Sequence, residues 1–346
     1  MLCGKENVST ILHVCVDCIR NGGGEAMDYA KTAHQQIRAK YGLPAEPPKS
    51  AGGLPCNLCS NECIMVEGEL SYCGLKENIN GRLTSLVPDD HALLYAYRDP
   101  LPTNCCAAWF CPGSSHYGKV NIAVFFYGCN FNCIFCQNAS HKEFGMVQPV
   151  SLKDFVSSVR RNENAYCVCY FGGSPEPQLP FAIRASEAIV EDKNLPICWE
   201  WNGCGNSNLV RRAAELSFQS GGIVKFDLKA FDNNLSRALS GVPNESAYEN
   251  FELIATKFFE RSDPPVLTAT TLLVPFYVDE HEVDHIASFI ANLNPEIPYS
   301  LLVFHPQFYM RDLPVTPREQ VYRCYEAAKG HLNNVNIGNK HLLGLS

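Results

Sequence analysis

No apolar run in these 346 residues approaches the ~18 that a membrane span needs. Cationic patches are missing as well. Lys and Arg number 28 against 36 Asp and Glu, the formal charge is -8, and no block of basic residues occurs. Binding a phosphate backbone generally needs a basic face, so a nucleic-acid scaffold is not expected. The stretch MLCGKENVSTILHVCVDC (1–18) has neither the basic start nor the long apolar core of a secretory leader. The expectation is a soluble, cytoplasmic protein that partners neither membrane nor nucleic acid. Long disordered tracts are absent, and 46% hydrophobic residues suffice to bury a sizeable core.

Cysteine is what the chain has in quantity. Its 18 cysteines make up about 5% of the sequence, below the ~8–10% of small disulfide scaffolds, and they cluster at short spacings. In a reducing compartment such clustering points to metal or iron–sulfur ligation, and hence to oxygen sensitivity.

Three stretches differ in character. Residues 1–53 form an amino-terminal extension that ends in a Pro/Gly-rich linker, LPAEPPKSAGG (43–53). Residues 54–118 read as an irregular, cysteine-rich, metal-binding segment. From 119 to 346, apolar and β-branched runs alternate with amphipathic stretches. Strands are predicted at 121–127, 166–171, 197–201, 223–229, 266–274 and 300–304. Helices are predicted near 151, at 181–191, 207–218, 246–260 and 279–293, and near 317–331. Six such units imply an α/β fold with a helix-covered parallel sheet, an open six-unit (β/α) partial TIM barrel. Reactive groups in these sheets gather at the carboxyl ends of the strands.

The loop after the first predicted strand reads YGCNFNCIFCQNAS (127–140), with Cys129, Cys133 and Cys136 spaced C-x3-C-x2-C. Three thiolates fill three corners of a cubane 4Fe–4S cluster and leave one iron open, whereas a closed electron-transfer cluster uses four. A zinc knuckle or unrelated buried thiols are the competing readings. The second strand is followed by FGGSPEPQ (171–178). WEWNGCG (199–205) and DLKAFD (227–232) stand at the next two strand ends.

With these neighbours the three-cysteine loop resembles the signature of the radical SAM superfamily. The later motifs resemble its activating-enzyme branch, typified by pyruvate formate-lyase activating enzyme. The resemblance implies that S-adenosylmethionine (SAM) takes the open iron of a 4Fe–4S cluster. Reductive cleavage would then give methionine and a 5′-deoxyadenosyl radical that abstracts hydrogen. Phe135 would border the adenine. Gly172, Gly173 and Ser174 would approach the methionine amino group, although Ser174 stands where the branch has an acid and Glu176 comes two residues later. Asn202 lies in the segment that replaces the branch's D-T-N-G. Asp227 and Glu200 would polarise or bind a cation near the SAM carboxylate, and Lys229 would pair with the carboxylate itself. His305, in FHP after the last strand, is a candidate for contact with SAM or substrate.

Over residues 54–341 the chain is most similar to the radical SAM enzyme of the so-called AmmeMemoRadiSam system. CNLCSNEC…GELSYCGLKENINGRLTSL (56–87), GCNFNCIFCQN (128–138), PFYVDEHEV (275–283) and LLVFHPQFYMRDLP (301–314) carry that likeness. By resemblance the substrate is a protein partner, as in glycyl-radical activation, with an electron donor such as flavodoxin or ferredoxin. Small-molecule modification, methyl or sulfur transfer, and a non-catalytic iron–sulfur carrier or zinc-binding module are the alternatives.

A second group, Cys56, Cys59, Cys63 and Cys73, is spaced C-x2-C-x3-C-x9-C. Four thiolates can close a site for one zinc or iron, or hold a second cluster. A single structural metal is the expectation, because it would stabilise a segment too poor in apolar residues to fold alone. Cys105, Cys106 and Cys111 read as further ligands or as plain loop thiols. Cys167, Cys169 and Cys198 read as small core residues.

Overall fold

The computed structural model describes residues 7–103 and 105–344. The first six residues of the extension, Asn104 of the cysteine-rich segment and the last two residues lie outside the described residues. Two helices open the chain, α1 (Val16–Arg20) and α2 (Gly24–Ala39). In α2 the residues Ala26, Ala30, Ala33 and Ile37 form a buried stripe at helical spacing. Two small antiparallel ribbons follow, β1 (Leu54–Pro55) with β2 (Ile64–Met65), and β3 (Lys76–Ile79) with β4 (Arg82–Ser85).

The main sheet then begins with β5 (His91–Pro100), β6 (Val120–Phe126) and β7 (Pro149–Ser151). Helix α3 (Leu152–Arg160) starts where predicted, with the Ser151 side chain accepting from the Asp154 N–H. The pattern continues as β8 (Ala165–Gly172), α4 (Leu179–Lys193), β9 (Ile197–Trp201), α5 (Ser207–Ser220) and β10 (Val224–Asp227). After α6 (Asn233–Ser240) and α7 (Glu245–Lys257) come β11 (Leu267–Leu273), α8 (Glu280–Leu293), β12 (Tyr299–Val303), α9 (Arg318–Lys329) and β13 (Val335–Gly338). The order across the sheet is β13-β12-β11-β10-β9-β8-β6-β5-β7. From β6 to β13 the neighbours are parallel, and this is the open partial barrel expected from the sequence.

The parallel strands are buried on both faces. Val124, Phe126, Tyr170, Trp199, Val224 and Phe226 pack into the main core, and Trp199 donates to the Ala213 carbonyl of α5 at 2.9 Å. The alternate residues Ala123, Cys169, Glu200, Lys225 and Asp227 line the lumen. Because side chains alternate along a strand, neighbouring strands in register turn these side chains to the same side, into the lumen.

Several elements were not foreseen, and three of them shape the barrel. HALLYAYRDP, inside a stretch read as irregular, forms the ten-residue strand β5, antiparallel to β6 from Leu94↔Phe126 to Pro100↔Val120. Its burial falls in one block rather than alternating, because only its first half is covered, so period two is invisible in it. VNIG adds β13 as a half-buried seventh parallel strand. Helix α6 is an extra element capped by Asp232, which accepts from Leu235 N–H. Among the described residues no helix is long and apolar enough to cross a membrane.

Candidate active site

The loop after β6 turns at Gly128, whose φ of +83° a side chain would strain. Beyond it the backbone is tied down at every step. The N–H groups of Asn132 and Ile134 donate to the last-turn carbonyls of α6, Ser240 at 2.8 Å and Leu239 at 3.0 Å. Those carbonyls lack helical partners, so the cysteine loop completes the helix end while the helix fixes the loop. Asn130 donates to the Cys204 carbonyl at 3.1 Å and accepts from Asn202 at 2.8 Å.

Cys129, Cys133 and Cys136 line one chamber of about 180 Å³. Phe131 N–H points at Cys129 Sγ at 3.3 Å, and the Cys133 thiol meets Ser240 Oγ at 3.4 Å. Burial raises the thiols of Cys129 and Cys136, the latter to about 11. A bound metal reverses that preference, because it ligates the thiolate.

Two buried cations stand beside the loop. Arg38 of α2 is 0% exposed and lies 3.4 Å over the Tyr72 ring, hydrogen-bonded to the carbonyls of Pro44 and Tyr72. Lys142 is 4% exposed and donates to Asn132 Oδ1 at 3.0 Å. Asn132 in turn donates to His34 at 2.8 Å, and burial holds His34 neutral by pushing it down to about 4. Burial also depresses Lys142, with Arg38 adding to the effect while the three cysteines oppose it. Neither cation has a carboxylate partner among the described residues. Positive charge left unpaired in the interior is costly unless an anion arrives, and an anionic thiolate-bound cluster supplies one.

The remaining wall comes from the next strand ends. Gly173 N–H donates to Phe126 O at 2.9 Å and Ser174 N–H to Gly128 O at 3.2 Å, so the glycine turn lies flat against the entrance to the cysteine loop. A Cβ on Gly173 would lie 2.1 Å from Gly128 O and 2.8 Å from the His141 ring. Asn202 donates to Ser174 Oγ at 2.9 Å. Lys229 pairs with Asp227 and sits 5.8 Å above the Phe135 ring. Burial alone would lower Lys229, but Asp227 and the Cys133 sulfur outweigh it and raise the ammonium above the ordinary lysine range. Three buried polar atoms of this wall have no partner among the described residues: Asp227 Oδ1, Trp201 Nε1 and His141 Nδ1. They fit a ligand that carries both donors and acceptors.

Phe135, Gly172, Gly173, Ser174, Glu200, Asn202, Asp227 and Lys229 therefore share one chamber with the three cysteines. His305 is exposed and is not among the residues lining it. The sequence pointed to none of Arg38, His141 and Lys142. They lie on a helix and in turns with no motif of their own.

Glu176 is fully buried and works from behind, accepting from Gly203 N–H at 2.8 Å while its Oε2 has no partner. Burial pushes its carboxyl up to about 7, against a hydrogen bond from Ser174. A raised acid favours folding in its protonated form, so this contribution is complete below about 4.5 and disappears as pH rises through about 7. Glu176→Gln should therefore raise the melting temperature relative to wild type by an amount that grows from pH 5 to pH 8. A difference independent of pH would refute the buried neutral carboxyl.

The second cysteine group lies on the β1–β2 ribbon and the turn after it. That ribbon clamps the active loop from outside, through Ser60 N–H to Cys204 O (3.0 Å), Asn206 N–H to Leu58 O (3.0 Å) and Asn61 to Asn130 O (2.6 Å). Cys56, Cys63 and Cys73 are buried, but no three of the four sulfurs lie within 4.8 Å of one another. Ligands of one tetrahedral zinc stand about 3.8 Å apart, given Zn–S bonds of about 2.3 Å.

The structure thus sets a three-thiol loop at the end of the first parallel strand of a partial (β/α) barrel, facing a chamber built from the next three strand ends. Among known families, residues 123–290 match the model of the radical SAM superfamily. The chain is similar to an uncharacterized protein of Methanocaldococcus jannaschii, 22% identical over 287 residues, 79% of this chain and 72% of that one. It is also similar to the isethionate sulfite-lyase activating enzyme of Desulfovibrio desulfuricans, 30% identical over 135 residues, 39% of this chain and 40% of the relative. Among solved structures, a domain of pyruvate-formate lyase-activating enzyme from Bacteroides vulgatus aligns with a TM-score of 0.41 at 19% identity. It covers 50% of this chain and 99% of that domain.

Proposed function

We propose that this protein is a radical SAM enzyme that abstracts hydrogen from a protein partner, in the manner of glycyl-radical activation. The observation that carries the chemistry is the set of three thiols converging on one chamber beside two buried cations that lack carboxylate partners. Cys129, Cys133 and Cys136 hold a 4Fe–4S cluster by three of its irons. A cluster held there would supply the one-electron reduction of SAM to methionine and a 5′-deoxyadenosyl radical, with the electron coming from a donor such as flavodoxin or ferredoxin.

The protein's own groups orient and shield. The Gly172–Gly173 turn lets backbone approach the methionine moiety, and Ser174, held by Asn202, presents its hydroxyl in place of an acid. Lys229 offers a cation for the SAM carboxylate, and Asp227 holds that ammonium in place with one oxygen while its other oxygen stays free for the ligand. Phe135 supplies an apolar face. Arg38 and Lys142 stabilise the negative charge of the thiolate-bound cluster. The open barrel leaves room for a polypeptide loop, and the likeness to an activating enzyme supports a protein substrate. Cys56, Cys59, Cys63 and Cys73 are proposed to hold a second metal, zinc or iron, which would draw the ribbon tight behind the active loop.

The test uses anaerobically reconstituted protein with dithionite and deuterated candidate partners. Deuterium in the 5′-deoxyadenosine and a carbon-centred radical signal on the partner polypeptide are expected. Turnover that places deuterium from a small molecule alone into the product would overturn the protein-substrate reading.

A further inference from the structure

A second and larger chamber, of about 360 Å³, lies deeper in the barrel at the amino-terminal half of the strands. Segment 105–118 closes it, pinned to β12 by Trp109 Nε1 donating to Ser300 Oγ (2.9 Å) and Ser300 Oγ donating to Cys106 O (3.0 Å). Its walls are unusually rich in sulfur, with Cys105 and Cys111 from that segment and Cys167, Cys169 and Cys198 from β8 and β9. The donor atoms of Cys105, Cys106 and Glu200 lie within 4.8 Å of one another, the set among the described residues with that property. Beside them Lys225, 2% exposed, points Nζ at Cys169 Sγ (3.2 Å) and at Glu200 (3.8 Å).

We propose that Cys105, Cys106 and Glu200 bind a single thiophilic divalent ion, zinc, in this chamber. Two thiolates and a carboxylate suit a borderline-soft tetrahedral cation, and their mutual distances suit one ion rather than a cubane, whose ligands each reach a different iron. The charges close. Binding releases two thiol protons to solvent, three anionic donors leave one charge over on a divalent ion, and the buried ammonium of Lys225 cancels it. Three protein ligands leave a tetrahedral ion one exchangeable position, as in zinc sites that act on substrate. Glu200, Phe171 and Asn138 also line the chamber of the cysteine loop, so the ion is placed next to the proposed radical chemistry, with Glu200 facing both chambers and none of the three loop thiols shared. This site stands independently of what Cys129, Cys133 and Cys136 hold.

The test is zinc content and zinc-edge X-ray absorption on the full chain reconstituted anaerobically. To keep the ribbon's cysteines out of the signal, a Cys56→Ser/Cys59→Ser chain serves as the reference. That chain should retain one equivalent of zinc with both sulfur and oxygen neighbours. Adding Cys105→Ser/Cys106→Ser should remove that zinc while the iron bound by the Cys129 loop stays, which reports an intact fold. Glu200→Gln should weaken cobalt(II), used as a spectroscopic probe, by about tenfold or more and change its visible bands. Three results would each overturn the site: a reference chain without zinc, an all-sulfur zinc shell in it, or iron and sulfide in place of zinc at these ligands.

Discussion

Replacing Cys129, Cys133 and Cys136 together by alanine is expected to bring 5′-deoxyadenosine formation down to the uncatalysed background. In the proposed cluster each thiol would hold a separate iron, so no residue left in the chamber could take over. The loop is anchored through backbone N–H groups to α6 and through Asn130 to Asn202 and the Cys204 carbonyl, and none of these bonds uses a cysteine side chain. The fold should therefore survive, with an unchanged circular dichroism spectrum and near-normal melting. Iron analysis of the same variant separates the two cysteine groups. Loss of all iron assigns it to this loop, while residual iron with sulfide would place a second cluster at Cys56–Cys73. Persistent SAM cleavage in the triple variant would refute the assignment of the site.

Gly173→Ala is expected to damage the chamber severely with a single methyl group. The added Cβ would meet a backbone carbonyl at 2.1 Å, and a carbonyl already accepting from Ser174 N–H cannot swing aside. Relief requires the turn to part from Gly128, the residue immediately before Cys129. Overpacking of this kind typically costs ~1–3 kcal/mol, and here the cost falls on a backbone contact that joins the cysteine loop to the proposed methionine-binding turn. SAM affinity measured by calorimetry should fall by about tenfold or more, with cleavage falling at least as far. Gly145→Ala is the control, since nothing lies within 4 Å of a Cβ there. Equal SAM affinity in the two variants would show that the turn does not touch the ligand.

The fold and the chamber were legible in the sequence to different degrees. The six core strands could be read because each is a short apolar run bounded by turn residues, and β13 and β5 were harder because a sheet edge buries only part of a strand. Local spacing could bring Cys129, Cys133 and Cys136 together, and the rule that sites form at strand ends could place Gly173, Asn202, Asp227 and Lys229 near them. His305 obeys that rule by position, yet the chain leaves β12 along a path that exposes it.

The sequence by itself determined the alternation of strand and helix, the three-thiol loop and the acid–lysine pair, all encoded within a few consecutive residues where periodicity and spacing act. Only the tertiary structure decided which charges face one another. Arg38 reaches the cysteine loop from a helix about ninety residues earlier, a contact made by α2 packing beside α6. Cys105 and Cys106 meet Glu200 because parallel register sets Glu200 beside Lys225 in the lumen while β12 holds the closing segment beneath them. Such meetings depend on strand register and loop path, which depend on the packing of the whole barrel and leave no local trace in the order of residues.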